Sequence, residues 1–334
     1  MPTKSINDRY DLPPVFRERT PAWRNRRRPE PFSVTNARSR VCAGTSERMR
    51  FWVMSDLGIG RHGDGFVLRD LPARFDAMLV AGNVGAGMTA SLDWLAALGD
   101  RLQGRPLILV PGPRDYATGL PPSETMRLAR EAGERLGIAV LADASVRLPD
   151  GRGNAVHVIG ATLWTDWALH GTYEAPSARA YARHAWSGAL GITAEDGRPW
   201  GPHDAAGAHA RSRAYIEDVL GSAVCQRQGF GSSPAALIAG VGSGDRVVVV
   251  THHAPSPFSL AADWRGWCGD AWHAASYATD LGDIMDAWSA PSLWVHGGVP
   301  SPVDYQLGRT RVVANPRTHA GGPGTFDPAL VVEV

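Results

Sequence analysis

The sequence is poor in several things that would narrow its role at once. Among its 334 residues are three cysteines, Cys42, Cys225 and Cys268, and no two are spaced as a pair. That argues against a zinc knuckle or a disulfide framework and fits a reducing cytoplasm. Apolar runs are short: hydrophobic residues make up 44% of the chain, yet none of its runs approaches the ~20 residues a membrane helix needs. A membrane partner is therefore not expected. The N-terminus lacks the charged-then-apolar order of a secretory signal, and no internal repeat is visible.

Net charge is also nearly absent, with 34 Lys and Arg against 33 Asp and Glu for a formal +1. The balance hides an asymmetry, because Arg24, Arg26, Arg27, Arg28, Arg38, Arg40, Arg48 and Arg50 crowd the first fifty positions. That stretch also carries Pro13, Pro14, Pro21, Pro29 and Pro31 and has no apolar period. We expect residues 1–48 to be a disordered basic extension and residues 49–334 to form one large domain. An arginine-rich arm can contact nucleic-acid phosphates. Little aromatic interleaving and no basic stripe elsewhere leave nucleic acid as the lesser expectation.

What the chain does have is an alternation of strand-like and helix-like segments. Short apolar runs that end in glycine or proline predict strands at 51–54, 77–81, 107–110, 156–159, 247–250, 293–295, 311–313 and 330–334. A hairpin-like pair, 303–307 with 311–313 around Gly308-Arg309, adds antiparallel character. Leu92, Leu95, Leu98 and Leu102 predict one helix face after a Thr89 cap, and Met126, Leu128, Ala132 and Leu136 another after Ser123, with Glu124 in the first turn. Further helices are expected at about 208–220 and 280–288, and the Gly/Pro/His-rich stretch 188–207 as a surface insertion. Strands alternating with helices indicate an α/β protein.

Five segments follow five of these strands: Ser55-Asp56-Leu57-Gly58, Ala81-Gly82-Asn83-Val84, Pro111-Gly112-Pro113-Arg114-Asp115, Thr251-His252-His253-Ala254-Pro255 and His296-Gly297-Gly298-Val299-Pro300. Their order and flanks, from about Met49 to Val334, resemble the calcineurin-like metallophosphoesterase family, whose motifs read Asp-x-His, Gly-Asp, Gly-Asn-His-Glu/Asp, His and Gly-His-x-His. The resemblance implies a four-layer α/β/β/α sandwich of two mixed sheets with a metal cleft at the strand ends. Such a cleft uses carboxylates, an amide oxygen and imidazoles to hold two cations about 3.5–4 Å apart.

Carried over position by position, the pattern is degenerate. Asp56 keeps the first carboxylate, Gly58 replaces the imidazole two residues on, and Asn83 stands where a bridging aspartate is expected. Pro113 and Arg114 replace the amide ligand and the histidine, while Gly298 and Pro300 replace the last two histidines. Only Asp56 and His252 persist as metal ligands, so the expected cofactor is none, or a single weakly held divalent metal. The expected role is that of a pseudoenzyme: binding a small anionic, phosphate-containing ligand in the old cleft, or acting as a regulatory partner of another protein. Asp56, Asn83, Arg114, Asp115, Trp164 and His253 are the candidate ligand-contacting residues. A rival expectation keeps hydrolysis without the metal pair, with Arg114 and His252 as its catalytic groups. A plainer alternative is that His252 and His253 persist for their bonds to nearby backbone, and that Arg114 neutralises Asp56 or Asp115. His296 is assigned a structural place.

Overall fold

The structure, a computed structural model, describes residues 48–60, 66–186, 188, 190–231, 236–260, 271–317 and 326–334. The basic extension expected at 1–48 lies outside these residues apart from Arg48. Two mixed sheets form the centre. The first has five strands in the order β11-β1-β2-β3-β4, built from β1 (Arg50–Met54), β2 (Ala77–Val80), β3 (Leu107–Leu109), β4 (Ile138–Val140) and β11 (Val331–Glu333). The second has six, β5-β6-β7-β8-β10-β9, from β5 (Ala144–Pro149), β6 (Ala155–Ala161), β7 (Arg246–Thr251), β8 (Leu293–His296), β9 (Val303–Leu307) and β10 (Thr310–Ala314). β11, β5 and β9 pair antiparallel at their edges and all other neighbours are parallel.

Strand periodicity explains the layering. In β1, Phe51 and Val53 point between the sheets, where they pack with Leu79, Ile108, Val158, Val248, Val295 and Val313. Trp52 and Met54, on the alternate face, pack with Met78, Val80, Leu107 and the helical layer outside. The second sheet does the same: Val249, Trp294 and Val312 turn outward to meet Ile216, Leu220 and Met285. Both faces of each sheet are therefore covered, which is why the central strands are continuous apolar runs and not alternating ones. The expected α/β/β/α sandwich is what the chain adopts.

The helices are α1 (Met88–Ala96), α2 (Gly99–Leu102), α3 (Pro122–Leu136), α4 (Ala175–Trp186), α5 (Pro202–Arg227), α6 (Ala271–Ala275) and α7 (Gly282–Asp286). Several expectations need correction. Leu92, Leu95, Leu98 and Leu102 are all buried, but Leu92 and Leu95 lie on α1, Leu102 on α2, and Leu98 in the break between them. The caps are Gly87 and Pro121, not Thr89 and Ser123, which lie inside their first turns. α3 buries Thr125, Met126, Ala129 and Gly133 and leaves Leu128 and Leu136 exposed. The stretch 188–207 is not all insertion, because Pro202 occupies the first turn of α5, where its missing N–H costs nothing. The helix expected at 280–288 is one short turn-and-a-half, α7.

Candidate functional site

The five segments singled out above leave the ends of β1, β2, β3, β7 and β8 and meet. Asp56 and Asn83 both adopt left-handed backbone, with φ of 54° and 56°, a region that Asn and Asp tolerate better than other side-chain-bearing residues. This turns their side chains toward each other. Asn83 Nδ2 donates to Asp56 Oδ1 at 3.0 Å, and the Gly298 N–H donates to Asp56 Oδ2 at 2.9 Å. Asn83 Oδ1 accepts the Arg114 N–H at 3.0 Å. The two Asn83 contacts fix which end of the amide is which, since a flipped amide would set oxygen against carboxylate and nitrogen against N–H.

The glycines of these loops are there for space. A Cβ on Gly112 would come within 2.6 Å of Asn83 Oδ1 and His252 Nδ1, and one on Gly297 within 2.5 Å of the Ala81 carbonyl. Such approaches leave no room for a side chain. Gly298 has φ of 68°, so its backbone turns to aim the N–H at Asp56.

Asp115 lies beneath this layer. It is fully buried and its carboxylate accepts four bonds: from the N–H groups of Asn83 (2.7 Å), Gly112 (2.8 Å) and Val84 (3.1 Å), and from Ser91 Oγ (2.6 Å). Burial pushes its pKa up, while the Ser91 hydroxyl and the backbone donors pull it down. All of its acceptor capacity is used inside the protein, tying the β2 and β3 exit loops to α1. Its place is under the cleft floor.

His252 Nδ1 sits 2.7 Å from the Ala81 carbonyl. A carbonyl can only accept, so Nδ1 carries the proton and, in the neutral ring, Nε2 holds the lone pair. That Nε2 is 4.0 Å from Asp56 Oδ1. His253 Nδ1 donates in the same way to the Thr162 carbonyl at 3.1 Å. Burial, with His252 adjacent, holds the His253 pKa down to about 3, so this imidazole is neutral at physiological pH. Trp164, also buried, lies 5.5 Å from the His253 ring and 5.2 Å from that of Trp200. Leu163 and Trp164 both have positive φ, 69° and 52°, a strained backbone for bulky residues that only a well-packed surround can hold.

The structure thus brings Asp56, Asn83 and the Arg114 backbone into direct contact, sets His252 4.0 Å from Asp56 with His253 and Trp164 next to it, and puts Asp115 below. Arg114 is half-buried. His296, beyond the motif positions, accepts from Ser259 Oγ through Nε2 and donates to the Gly297 carbonyl through Nδ1, and Ser259 in turn meets Tyr305 OH at 2.8 Å. This chain steadies the loop that carries Gly298. Sequence reasoning missed Gly298 as a donor and Ser91 as a partner of Asp115. A backbone N–H leaves no trace in side-chain identity, and a serine six residues beyond Gly85 carries no motif.

The donor set of the described residues does not fit two divalent ions. Both oxygens of Asp56 already accept hydrogen bonds, Asn83 turns its nitrogen and not its oxygen toward that carboxylate, and Gly58, Pro113, Gly298 and Pro300 offer no side-chain donor. Among the described residues no three His, Cys, Asp or Glu converge on a common point. Among the described residues a single ion would find Asp56 and His252 alone, short of the three protein ligands that even open sites supply.

No family model matches the sequence, and no curated protein matches it. Solved structures do. A phosphopantetheinyl hydrolase from Mycobacterium tuberculosis aligns with a TM-score of 0.60 at 16% identity, over 86% of this chain and 96% of that one. A putative 5'-nucleotidase from Staphylococcus aureus aligns with a TM-score of 0.38 at 12% identity, over 80% of this chain and 48% of that one. The first likeness, with the sheet order above, gives this chain a metallophosphoesterase-like fold.

Proposed function

We propose that the chain is a pseudoenzyme on a phosphoesterase scaffold: a ligand-binding or regulatory protein that holds a small phosphate-bearing anion at the rim of the old cleft. The observation that carries this reading is the state of Asp56. Each oxygen of that carboxylate already accepts one bond, at 2.9 and 3.0 Å from Gly298 and Asn83, and among the described residues only His252 stands beside it to share a cation. What the cleft offers instead is positive. Arg114 is half-buried, its backbone N–H donates to Asn83 beside Asp56, and its guanidinium is permanently charged with the fork geometry that suits phosphate oxygens.

Calorimetric titration with inorganic phosphate and with a phosphomonoester tests it directly. We expect binding that weakens roughly tenfold or more in Arg114→Ala, the loss of a charge-assisted hydrogen bond. Equal affinity of wild type and variant sinks the assignment to Arg114.

A second reading rests on one distance. His252 has a fixed tautomer with Nε2 lying 4.0 Å from Asp56, an arrangement able to accept a proton. In that case the chain is a metal-free hydrolase with His252 handling the proton and Arg114 stabilising charge. Turnover of bis(p-nitrophenyl) phosphate, with and without Mn²⁺ or Zn²⁺, decides between them. Rates at background support the pseudoenzyme; activity lost in His252→Ala supports the hydrolase.

A further inference from the structure

Two cations in a cleft of this kind do more than chemistry: they cancel the repulsion between the carboxylates of separate loops and hold those loops together. Among its described residues this chain lacks the ligands for them and still brings five loops to one point. We infer that a directional amide–carboxylate relay, Gly298 N–H to Asp56 to Asn83 to the Arg114 N–H, has taken over the cations' structural role, making Asn83 and Asp56 positioning residues of a metal-independent latch.

The relay runs through three consecutive contacts of 2.9, 3.0 and 3.0 Å. It joins the exit loops of β8, β1, β2 and β3. The remaining loop, after β7, is tied in by His252 Nδ1 on the Ala81 carbonyl and by the Gly297 N–H on the His252 carbonyl at 3.0 Å. Each donor in the relay faces an acceptor, and each acceptor a donor. An aspartate at position 83 would break this, placing two carboxylates 3.0 Å apart with nothing between them to offset the repulsion. Asparagine at 83 is therefore what allows the loops to close unaided.

Polarity makes the latch testable by exchange of its two members. Asp56→Asn alone sets one amide NH₂ against another, and Asn83→Asp alone sets carboxylate against carboxylate. The double variant Asp56→Asn with Asn83→Asp restores every pairing: Asn at 56 accepts from Gly298 and donates to Asp at 83, which accepts from the Arg114 N–H. Both residue types tolerate the left-handed backbone at these positions. In thermal melts of the full chain with EDTA present, we expect each single variant to melt roughly 5 °C or more below wild type, and the double variant to regain most of that loss.

A double variant that loses the sum of the single effects, or does not fold, overturns the latch. Single variants too unstable to purify beside a folded double variant support it. The inference rests on the reading of the cleft as lacking a two-metal centre, and a titration of wild type with Mn²⁺ and Zn²⁺ separates the two failures. A saturable rise in melting temperature refutes that reading itself, whereas a flat titration with a failed exchange refutes the latch alone.

Discussion

At the scale of single residues, the histidines carry a clear pH signature. Burial holds His253 down to about 3 and His296 down to about 4, and His209 is shifted downward for the same reason. In the unfolded chain each imidazole titrates near 6.5. For His253 and His296 the unfolded state therefore binds more protons between about pH 6.5 and pH 4, and stability falls as the pH falls through that window. His253 and His296 each steepen the slope by up to one proton there, and above about pH 7 the dependence they cause is flat. Denaturant melts from pH 7.5 to 4 should show this slope, reduced by one histidine's share in His296→Asn. Residue identity alone made Asp56, Asn83 and His252 visible as a cluster, because their spacing after strands resembles a known pattern. It did not reveal that Asp115 would be wholly internal, since an aspartate beside an arginine at a loop tip has the composition of a surface group; its four donors come from three separate stretches of chain.

At the scale of elements, α3 offers an inversion of helix propensity. Gly133 lies in its interior, where alanine is ordinarily favoured by about 1 kcal/mol. Here a Cβ would lie 2.5 Å from the Ile138 carbonyl and 2.9 Å from Val140 Cγ2, so α3 sits against β4 only because that methyl is missing. Gly133→Ala should destabilise by about 1–3 kcal/mol as overpacking does, read as a lower urea midpoint at unchanged slope. The same contact explains why the face of α3 was misjudged: a glycine marks the buried stripe, while Leu128 and Leu136 sit outside it. Strands with long apolar runs were legible in the sequence. β4 was not, being three residues with an alanine at its centre, and neither was β5, an edge strand whose Ser145 and Arg147 break any apolar pattern. α4 escaped for a related reason, because its buried residues Ala175, Ala178 and Ala182 are alanines, which carry little hydrophobic signal.

At the scale of the molecule, the two sheets are closed by their edges. β11 returns from the far end of the chain to pair with β1 through Arg50, Phe51 and Trp52, the Val334 and Met49 backbones exchange two bonds, and Trp52 Nε1 donates to the Pro328 carbonyl. A chain cut before Phe326 bares the β1 edge and one side of the inter-sheet core. Unpaired strand edges of this kind recruit other chains, so the shortened protein should elute as oligomers or aggregate in size-exclusion chromatography where the full chain does not. Within that closed frame, the loop after β3 is fastened at position 114 through a backbone N–H, and any residue but proline supplies one. Changing the side chain there leaves that backbone anchor in place. A saturation library at that single codon, with proline as the one forbidden member, would turn the rim into a tunable recognition surface on an otherwise unchanged scaffold.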